Sequence, residues 1–405
     1  MGLNTMNRNS ARADGLRSAG VPRFAWKRLA AAVLLLLAVS VARAAETRSF
    51  TEGHSGNGEL KYINDLPVLI VAGTPEEMGR QAAVLTGDVV KKLADYPRKF
   101  LQRSGGQAGK DRLQKCLEQG KGLLPQLSAD HRAEMRAAVA QMGVDRDLGI
   151  LANVLPDVWR GSVNCSSIVV ETSHSATGGP LFGRNLDFFT LGMLTKYSLV
   201  TVHRPRGKHA FVSIGFPGMF GVLSGMNDAG LAVAVHEVLV SREGFLSFNP
   251  KGEPYTFCFR RILEDCSTVA EAEKLLRGAK RTTLLNLSVC DPKNDAVFEI
   301  TPKSVVVRHA SQGILACTNH FRTPELSVPI ATMCGRYKKL REARKLDEIA
   351  ISDVAKMLDD VNMRSLTVQT MIFEPAALKL HLAIGSCPSS ALPMKALELK
   401  PLLKP

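Results

Sequence analysis

Asn164-Cys165-Ser166-Ser167, with Arg184-Asn185-Leu186-Asp187 nineteen residues on, constrains this chain more than any other feature. A cysteine opens an apolar strand (SSIVVET), Gly178-Gly179-Pro180 reverses the chain, and a second strand returns an Arg-x-x-Asp pair beside it. A thiol is a strong nucleophile only as thiolate, and a cation with a nearby base makes thiolate at neutral pH. The hairpin is expected to bring Cys165, Arg184 and Asp187 within reach of one another. Taken alone, the pattern also fits a buried cysteine beside a surface ion pair.

With 405 residues, 45% of them hydrophobic and 22% charged, the chain is long enough for a large single domain or a two-part fold. Its start reads as a leader. Arg23, Lys27 and Arg28 precede an apolar run from Leu29 to Ser40, and Ala42-Arg43-Ala44 supplies a small-residue exit. Residues 1–44 are therefore expected to be a signal peptide cleaved after Ala44, and the protein to be exported, periplasmic or secreted. Residues 45–62 read as a polar linker, 63–164 as a helical pro-region or small subunit, and 165–405 as the core. Nothing after Ala45 approaches a membrane span, so no integral membrane domain is expected once the leader is gone.

The formal net charge of +14 falls to +8 without the leader, whose own net charge is +6. That excess is scattered rather than drawn into a basic stripe with interleaved aromatics, so nucleic-acid binding is not expected. Eight cysteines contain no C-x-x-C pair, and neither a Gly-rich phosphate loop nor a helix-borne His-Glu-x-x-His is present. No metal and no cofactor are expected. Asn286-Leu287-Ser288 is a glycosylation sequon with meaning only in a eukaryotic secretory host. Oligomeric state is not written in the sequence.

Leu66 to Val71 is a short apolar strand, and Thr74-Pro75-Glu76-Glu77 starts a helix with a capping Thr and Pro at the first position. Further helices are expected from Asp111 to about Leu124 and from Ser128 to Met142. After Cys165 the texture changes to closely spaced apolar runs, from Ile168–Glu171 to Leu231–Val238, which read as an antiparallel meander. Helices from Tyr255 to Cys266 and Thr268 to Arg277 precede a second strand set over residues 284–318. Helices near Ile330–Leu346 and Ser352–Leu358 lead to the last strands. This order predicts an α+β fold with sheets stacked between helical layers.

One architecture explains a cysteine at the head of strands with a helical section before it. In an N-terminal nucleophile hydrolase the precursor cuts itself just before the nucleophile, here at Asn164–Cys165. The freed α-amino group, titrating near about 8, then serves as general base for the same residue.

The chain resembles the acyl-coenzyme A:6-aminopenicillanate acyltransferase family of N-terminal-cysteine hydrolases, related to penicillin V acylase, bile salt hydrolase and acid ceramidase. The resemblance runs through Gly73-Thr-Pro-Glu-Glu-Met-Gly79, residues 133–156, Cys165-Ser166-Ser167, Gly183-Arg-Asn-Leu-Asp-Phe188, Gly225-Met-Asn-Asp-Ala-Gly-Leu231, Thr318-Asn-His-Phe321 and Arg336-Tyr337-x-x-Leu340. It implies a four-layer αββα sandwich of antiparallel sheets, and cleavage of a non-peptide amide with acyl transfer to water or an amine. Cys165 would be nucleophile and, through its new amine, base. Arg184 would favour the thiolate, Asp187 would orient the α-amine, Asn319 would donate to the tetrahedral oxyanion, and Arg336 would support the charge arrangement. Arg322 and Arg341 are rivals for Arg336.

The chain departs from the family at two places. Asn164 stands where several relatives have glycine, and Val235-His236-Glu237 stands where some carry an oxyanion-hole asparagine. Either the Glu237 carboxyl is kept protonated by burial or a backbone N–H near His236 does that work. The substrate expected is a small N-acyl amide, and apolar loops at residues 216–220 and 245–254 suggest a fatty or aromatic acyl group. Two alternatives stay open: a papain-like protease pairing Cys165 with His320, and an exported binding protein that has lost catalysis.

Overall fold

The segment upstream of Cys165 is no separate helical module, because its first strands belong to a sheet built mostly from later ones. The computed structural model describes residues 48–161 and 163–404, so the leader expected at 1–44 lies outside the described residues. Two-residue turns build the sheet edge. Gly56-Asn57 joins β1 (Gly53–Ser55) to β2 (Gly58–Ile63), and Asn64-Asp65, both at positive φ, joins β2 to β3 (Leu66–Gly73). Over its described residues the polar linker expected at 45–62 is corrected accordingly: residues 53–55 and 58–62 are strand, Gly56 and Asn57 form the turn between them, and Leu60 is buried.

Thr74 caps α1 (Pro75–Leu93) in a capping box with Glu77. Four more helices follow: α2 (Tyr96–Gln102), α3 (Gly106–Leu123), α4 (Ala129–Met142) and α5 (Arg146–Val158). α1 packs on α4 so closely that a Cβ on Gly79 would lie 2.2 Å from the Glu134 carbonyl oxygen, which only glycine permits.

β3 pairs in parallel with β6 (Leu199–Pro205). β7 (Phe211–Gly215), β8 (Ser224–Asn227) and β9 (Ala232–Glu237) continue that sheet, and β10 (Val240–Ser241) and β11 (Gly244–Phe245) form a small separate hairpin. After α6 (Tyr255–Asp265) and α7 (Val269–Gly278), β12 (Leu285–Cys290), β13 (Asp295–Ile300) and β14 (Val305–Arg308) complete ten strands. The second sheet has the order β15-β4-β5-β16-β17-β18. It comprises β4 (Val163–Val170), β5 (Leu181–Phe188), β15 (Ile314–Cys317), β16 (Thr367–Glu374), β17 (Lys379–Ile384) and β18 (Lys395–Glu398). The single meander expected after Cys165 is thus divided, with β4 and β5 in one sheet and β6 to β9 in the other. Every residue of β5 is buried, as befits a strand in the middle of a sheet covered on both faces.

Val202, Val212 and Ala234 of the ten-stranded sheet meet Val169, Phe182 and Phe373 of the six-stranded one in the central core. The outer face of the smaller sheet (Ile168, Val170, Leu181) packs against Leu340 of α8 (Gly335–Arg341) and Val354 and Leu358 of α9 (Ile351–Asp360). The far face of the larger sheet is covered by the upstream helices with α6 and α7. The architecture is therefore an α+β four-layer αββα sandwich. A buried ion cluster ties the upstream helices to the core: Arg260 on α6 donates to Glu134 on α4 at 2.6 Å and to Glu264 at 2.7 Å, and His131 lies 3.1 Å from Glu264. Removing one member would leave a buried charge unpaired, at a cost of about 3–5 kcal/mol.

Candidate active site

Cys165 is the third residue of β4 and fully buried. In the unbroken chain the strand runs through Asn164–Cys165, so the cysteine does not open it. The register with β5 sets Cys165 against Leu186, Ser167 against Arg184 and Asn164 against Asp187. Because side chains alternate along a strand, Cys165 and Arg184 share the inner face, between the sheets, while Asp187 projects from the outer face toward the α8 side. The expectation that all three side chains gather at one place is corrected in this respect: Asp187 reaches Cys165 through the backbone.

On the inner face, Arg184 is fully buried and donates from Nη1 to the Val235 carbonyl at 2.9 Å. Its Nε and Nη2 have no hydrogen-bond partner among the described residues. Ser167 and Ser288 meet across the sandwich at 3.0 Å. On the outer face, Asp187 accepts from Thr367 Oγ1 at 2.6 Å and faces Arg336 at 3.5 Å. Burial pushes the Asp187 carboxyl up to about 6, against the pull of Thr367 and the two arginines. Burial also pushes the Cys165 thiol up to about 12, with Arg184 and Arg336 opposing and Asp187 reinforcing the shift. In the unbroken chain Cys165 is a thiol.

Arg336 and Asn319 converge on the backbone of Cys165. Arg336 Nη1 donates to the Cys165 carbonyl at 2.6 Å and Nη2 to Asn319 Oδ1 at 2.9 Å. The same Oδ1 accepts the Cys165 N–H at 2.9 Å. Asn319 Nδ2 donates to the Glu237 carbonyl at 2.9 Å and the Val163 carbonyl at 3.4 Å. Two donors on one end and two carbonyls on the other fix the amide orientation. The rivals lie elsewhere: Arg322 stacks on Tyr337 with its guanidinium 3.7 Å from the ring centroid and donates to the Ala331 carbonyl, while Arg341 also faces Tyr337.

Glu237 does not face an oxyanion position with a bare carboxylate. Its two oxygens accept from Gly161 N at 2.8 Å and Val163 N at 3.0 Å, and Arg160 Nε lies 3.0 Å away. The His236 ring is fully buried, with neither nitrogen bonded among the described residues. Burial, with Arg184 and Arg336 nearby, holds it well below its ordinary range, so it is neutral. His320 partners the Cys334 thiol rather than Cys165. Burial alone would raise that thiol, but His320, Thr318 and the Tyr337 N–H bring it down to about 6.

Three contributors escaped the sequence reading. Thr367 holds Asp187, and Arg160 holds Glu237. Asn286, read only as a sequon, is buried and donates to the Thr318 and His320 carbonyls at 2.9 and 3.1 Å, fixing the loop that presents Asn319. A side chain so enclosed cannot carry a glycan in the folded protein.

A cavity of about 110 Å³ adjoins the site, with Val163 and Phe188 in its wall. Both lie on the face of Cys165, and the rest of the lining is largely apolar, including Leu93, Met142 and Leu155 from the upstream helices and the loop at residues 216–220. The expected lining from residues 245–254 does not reach this cavity. Among the described residues no His/Cys/Asp/Glu group is arranged to hold a metal, and no helix is long and apolar enough to cross a membrane.

The family model for acyl-coenzyme A:6-aminopenicillanic acid acyl-transferases matches residues 175–386, just over half of the chain, a stretch that holds Arg184, Asp187, Asn319 and Arg336. An uncharacterized protein of Archaeoglobus fulgidus is 26% identical over 285 residues, covering 63% of this chain and 45% of that protein. The chain thus spans less than half the length of this relative. Among solved structures, a Caenorhabditis elegans ortholog of N-acylethanolamine-hydrolyzing acid amidase matches with a TM-score of 0.40 and 20% identity, over 52% of this chain and 93% of that one. A mutant conjugated bile acid hydrolase of Clostridium perfringens matches at 0.41 and 15%, over 58% and 93%. Penicillin V acylase of Agrobacterium tumefaciens matches at 0.42 and 17%, over 57% and 84%. The chain belongs to the acyl-coenzyme A:6-aminopenicillanic acid acyl-transferase family.

Proposed function

We propose that this protein is an exported, self-processing cysteine amidohydrolase or acyltransferase that takes an apolar acyl group from an N-acylated small molecule through an acyl-Cys165 thioester. The observation that carries the reading is that Asn319 and Arg336 grip the main-chain N–H and C=O of Cys165 itself. A conventional thiol nucleophile needs support at its sulfur; support at its nitrogen suits a residue whose nitrogen will work.

Self-cleavage begins when Cys165 Sγ attacks the Asn164 carbonyl carbon. The peptide C–N bond breaks, the cysteine nitrogen takes up the thiol proton to become an amine, and the Asn164 acyl group is left on sulfur. Water hydrolyses that thioester, giving the Asn164 carboxylate and a free thiol. The new amine, near about 8, is then the base for that thiol. Arg184 and Arg336 outweigh Asp187 by one positive charge, so a Cys165 thiolate brings these groups to neutrality. In turnover the substrate amide replaces the Asn164 peptide: sulfur takes the acyl group, the amine leaves with a proton, and water or a second amine accepts the acyl group.

The cavity beside Val163 and Phe188 supports an apolar acyl group. Its 110 Å³ is near the scale of an engineered cavity of about 150 Å³ that binds benzene, which favours a phenyl-sized or short-chain group. Export rests on the leader sequence. The two rival readings have less support: His320 faces Cys334, which disfavours the papain-like pair, and the gripped Cys165 backbone disfavours loss of catalysis.

Denaturing electrophoresis of purified protein, with N-terminal sequencing of the larger band, tests the reading. Two fragments are expected, beginning near residue 45 and at Cys165. Full activity in an uncut chain would overturn self-processing, and a panel of N-acyl amides graded by chain length would identify the acyl group.

A further inference from the structure

The stretch that leads into the scissile bond is anchored at atoms the cut does not touch. Arg160, just beyond the end of α5, and Glu237, at the end of β9, are both deeply buried, with side chains 7% and 2% exposed. The Glu237 carboxylate accepts the Gly161 and Val163 N–H groups and stands 3.0 Å from Arg160 Nε. Arg160 Nη2 reaches on to the Val238 and Leu284 carbonyls at 3.0 and 2.5 Å, where the chain leaves β9 and enters β12. Nη1 turns back to the Pro156 carbonyl at 3.3 Å. One helix turn earlier, Asp157 accepts from Tyr255 N and Thr282 Oγ1 at 3.1 and 2.6 Å, pinning the end of α5 to the start of α6.

Breaking Asn164–Cys165 alters the Asn164 carbonyl and the Cys165 nitrogen. None of these anchoring groups belongs to either residue. A buried carboxylate that accepts two backbone N–H groups and faces a guanidinium is strongly held, because releasing either partner would leave a charge desolvated and unpaired. Val163, directly under this anchor, is also in the wall of the cavity beside Cys165.

Building on the self-processing reading, we propose that Arg160 and Glu237 form a clamp that keeps Gly161 and Val163 docked after the cut. Only Asn164, outside the clamp and opposite Asp187 in the sheet, then has to move off the new α-amino group, and Val163 remains a permanent wall of the acyl cavity. The last anchored residue of the upstream fragment becomes a specificity determinant of the mature enzyme, and Arg160 and Glu237 are positioning residues that act through it.

Hydrogen exchange resolved to single amides tests the clamp directly in wild-type protein. The Gly161 and Val163 amides are expected to be equally protected in the uncut Cys165→Ala chain and in the processed wild type. Protection lost after a verified cut would overturn the clamp and leave self-processing intact. A wild-type chain that shows no cut on a denaturing gel would overturn both. In a second arm, Val163→Ala is expected to process normally and to move the ratio of kcat/KM for longer over shorter acyl groups by fivefold or more. An unchanged ratio would remove Val163 from the wall. Arg160→Met/Glu237→Met, which removes both charges together and keeps the bulk, is expected to retain the fold by circular dichroism but lose protection at these two amides after the cut. Protection retained in that variant would sink the assignment to these two residues.

Discussion

The two faces of the six-stranded sheet present the site's charges in different ways. On the inner face Arg184 lies beside Cys165 with two nitrogens unpaired among the described residues, in a space shared with a neutral His236. Arg336, Asp187 and Thr367 on the outer face, with Asn319 just past the end of the edge strand β15, are knit into a bonded network that ends on the Cys165 main chain. Under the proposed mechanism the difference divides two tasks: the inner face would meet a negative charge on sulfur, while the bonded network holds the Cys165 nitrogen and carbonyl in place. A loosely satisfied cation beside a tightly satisfied scaffold is what stabilising a charge that appears only during reaction requires.

The largest effect tests whether the two faces share one centre. Cys165→Ala should abolish both the cut and turnover, by about 10³-fold or more, read from gel bands and initial rates. Residual activity near wild type would mean that neither face serves this sulfur. Next come the arginines. Arg184→Met should slow iodoacetamide labelling of Cys165 in the processed enzyme by about 10²-fold, a loss of roughly 2.7 kcal/mol, because the thiolate loses its counter-charge. Arg336→Gln should instead reduce kcat by about 10–10²-fold with a smaller change in labelling. If the two variants behave alike, the division of tasks is wrong.

Asp187 gives a smaller effect with a definite sign. Its carboxyl, raised to about 6, is ionised above that pH, where it balances Arg336, and becomes neutral below it. Activity should therefore fall as pH drops through about 6, and Asp187→Asn should remove that acid limb; an unchanged limb would assign it to another group. In stability the sign is reversed: a carboxyl held above its unfolded value of about 3.9 costs the fold stability as pH rises through that window. Smallest is Thr367→Val, which removes the 2.6 Å bond to Asp187. It should move the acid limb upward by less than one pH unit, about 1 kcal/mol, measured in the pH–rate profile.

Much of this site was legible as a sequence. Spacing on a hairpin points to Cys165, Arg184 and Asp187, the family resemblance adds Asn319 and Arg336, and the structure sets all five around one strand. The separation of the two faces was legible as well and passed unread, since residues three apart on a strand, such as Arg184 and Asp187, must point opposite ways. The hairpin at β2 and β3 left a signal in Asn64-Asp65, a favoured two-residue turn, masked by the polar composition around it. The Arg160–Glu237 contact left none, because it depends on how β9 and β12 meet the end of α5. The helix expected near Ile330–Leu346 breaks into 3₁₀ turns over Pro329–Met333 and Glu342–Lys345, on either side of the short α8, which starts at Gly335.

The parallel pairing of β3 with β6 has a consequence for how this protein can be made. If residues 165–405 were expressed alone, β6 would lose the neighbour that covers its backbone donors and acceptors, and the downstream half would present a raw sheet edge of the kind that drives strand-to-strand aggregation. The two halves are thus obligate companions from synthesis onward, and a gene split at this junction should yield usable protein only when both pieces are produced in the same cell.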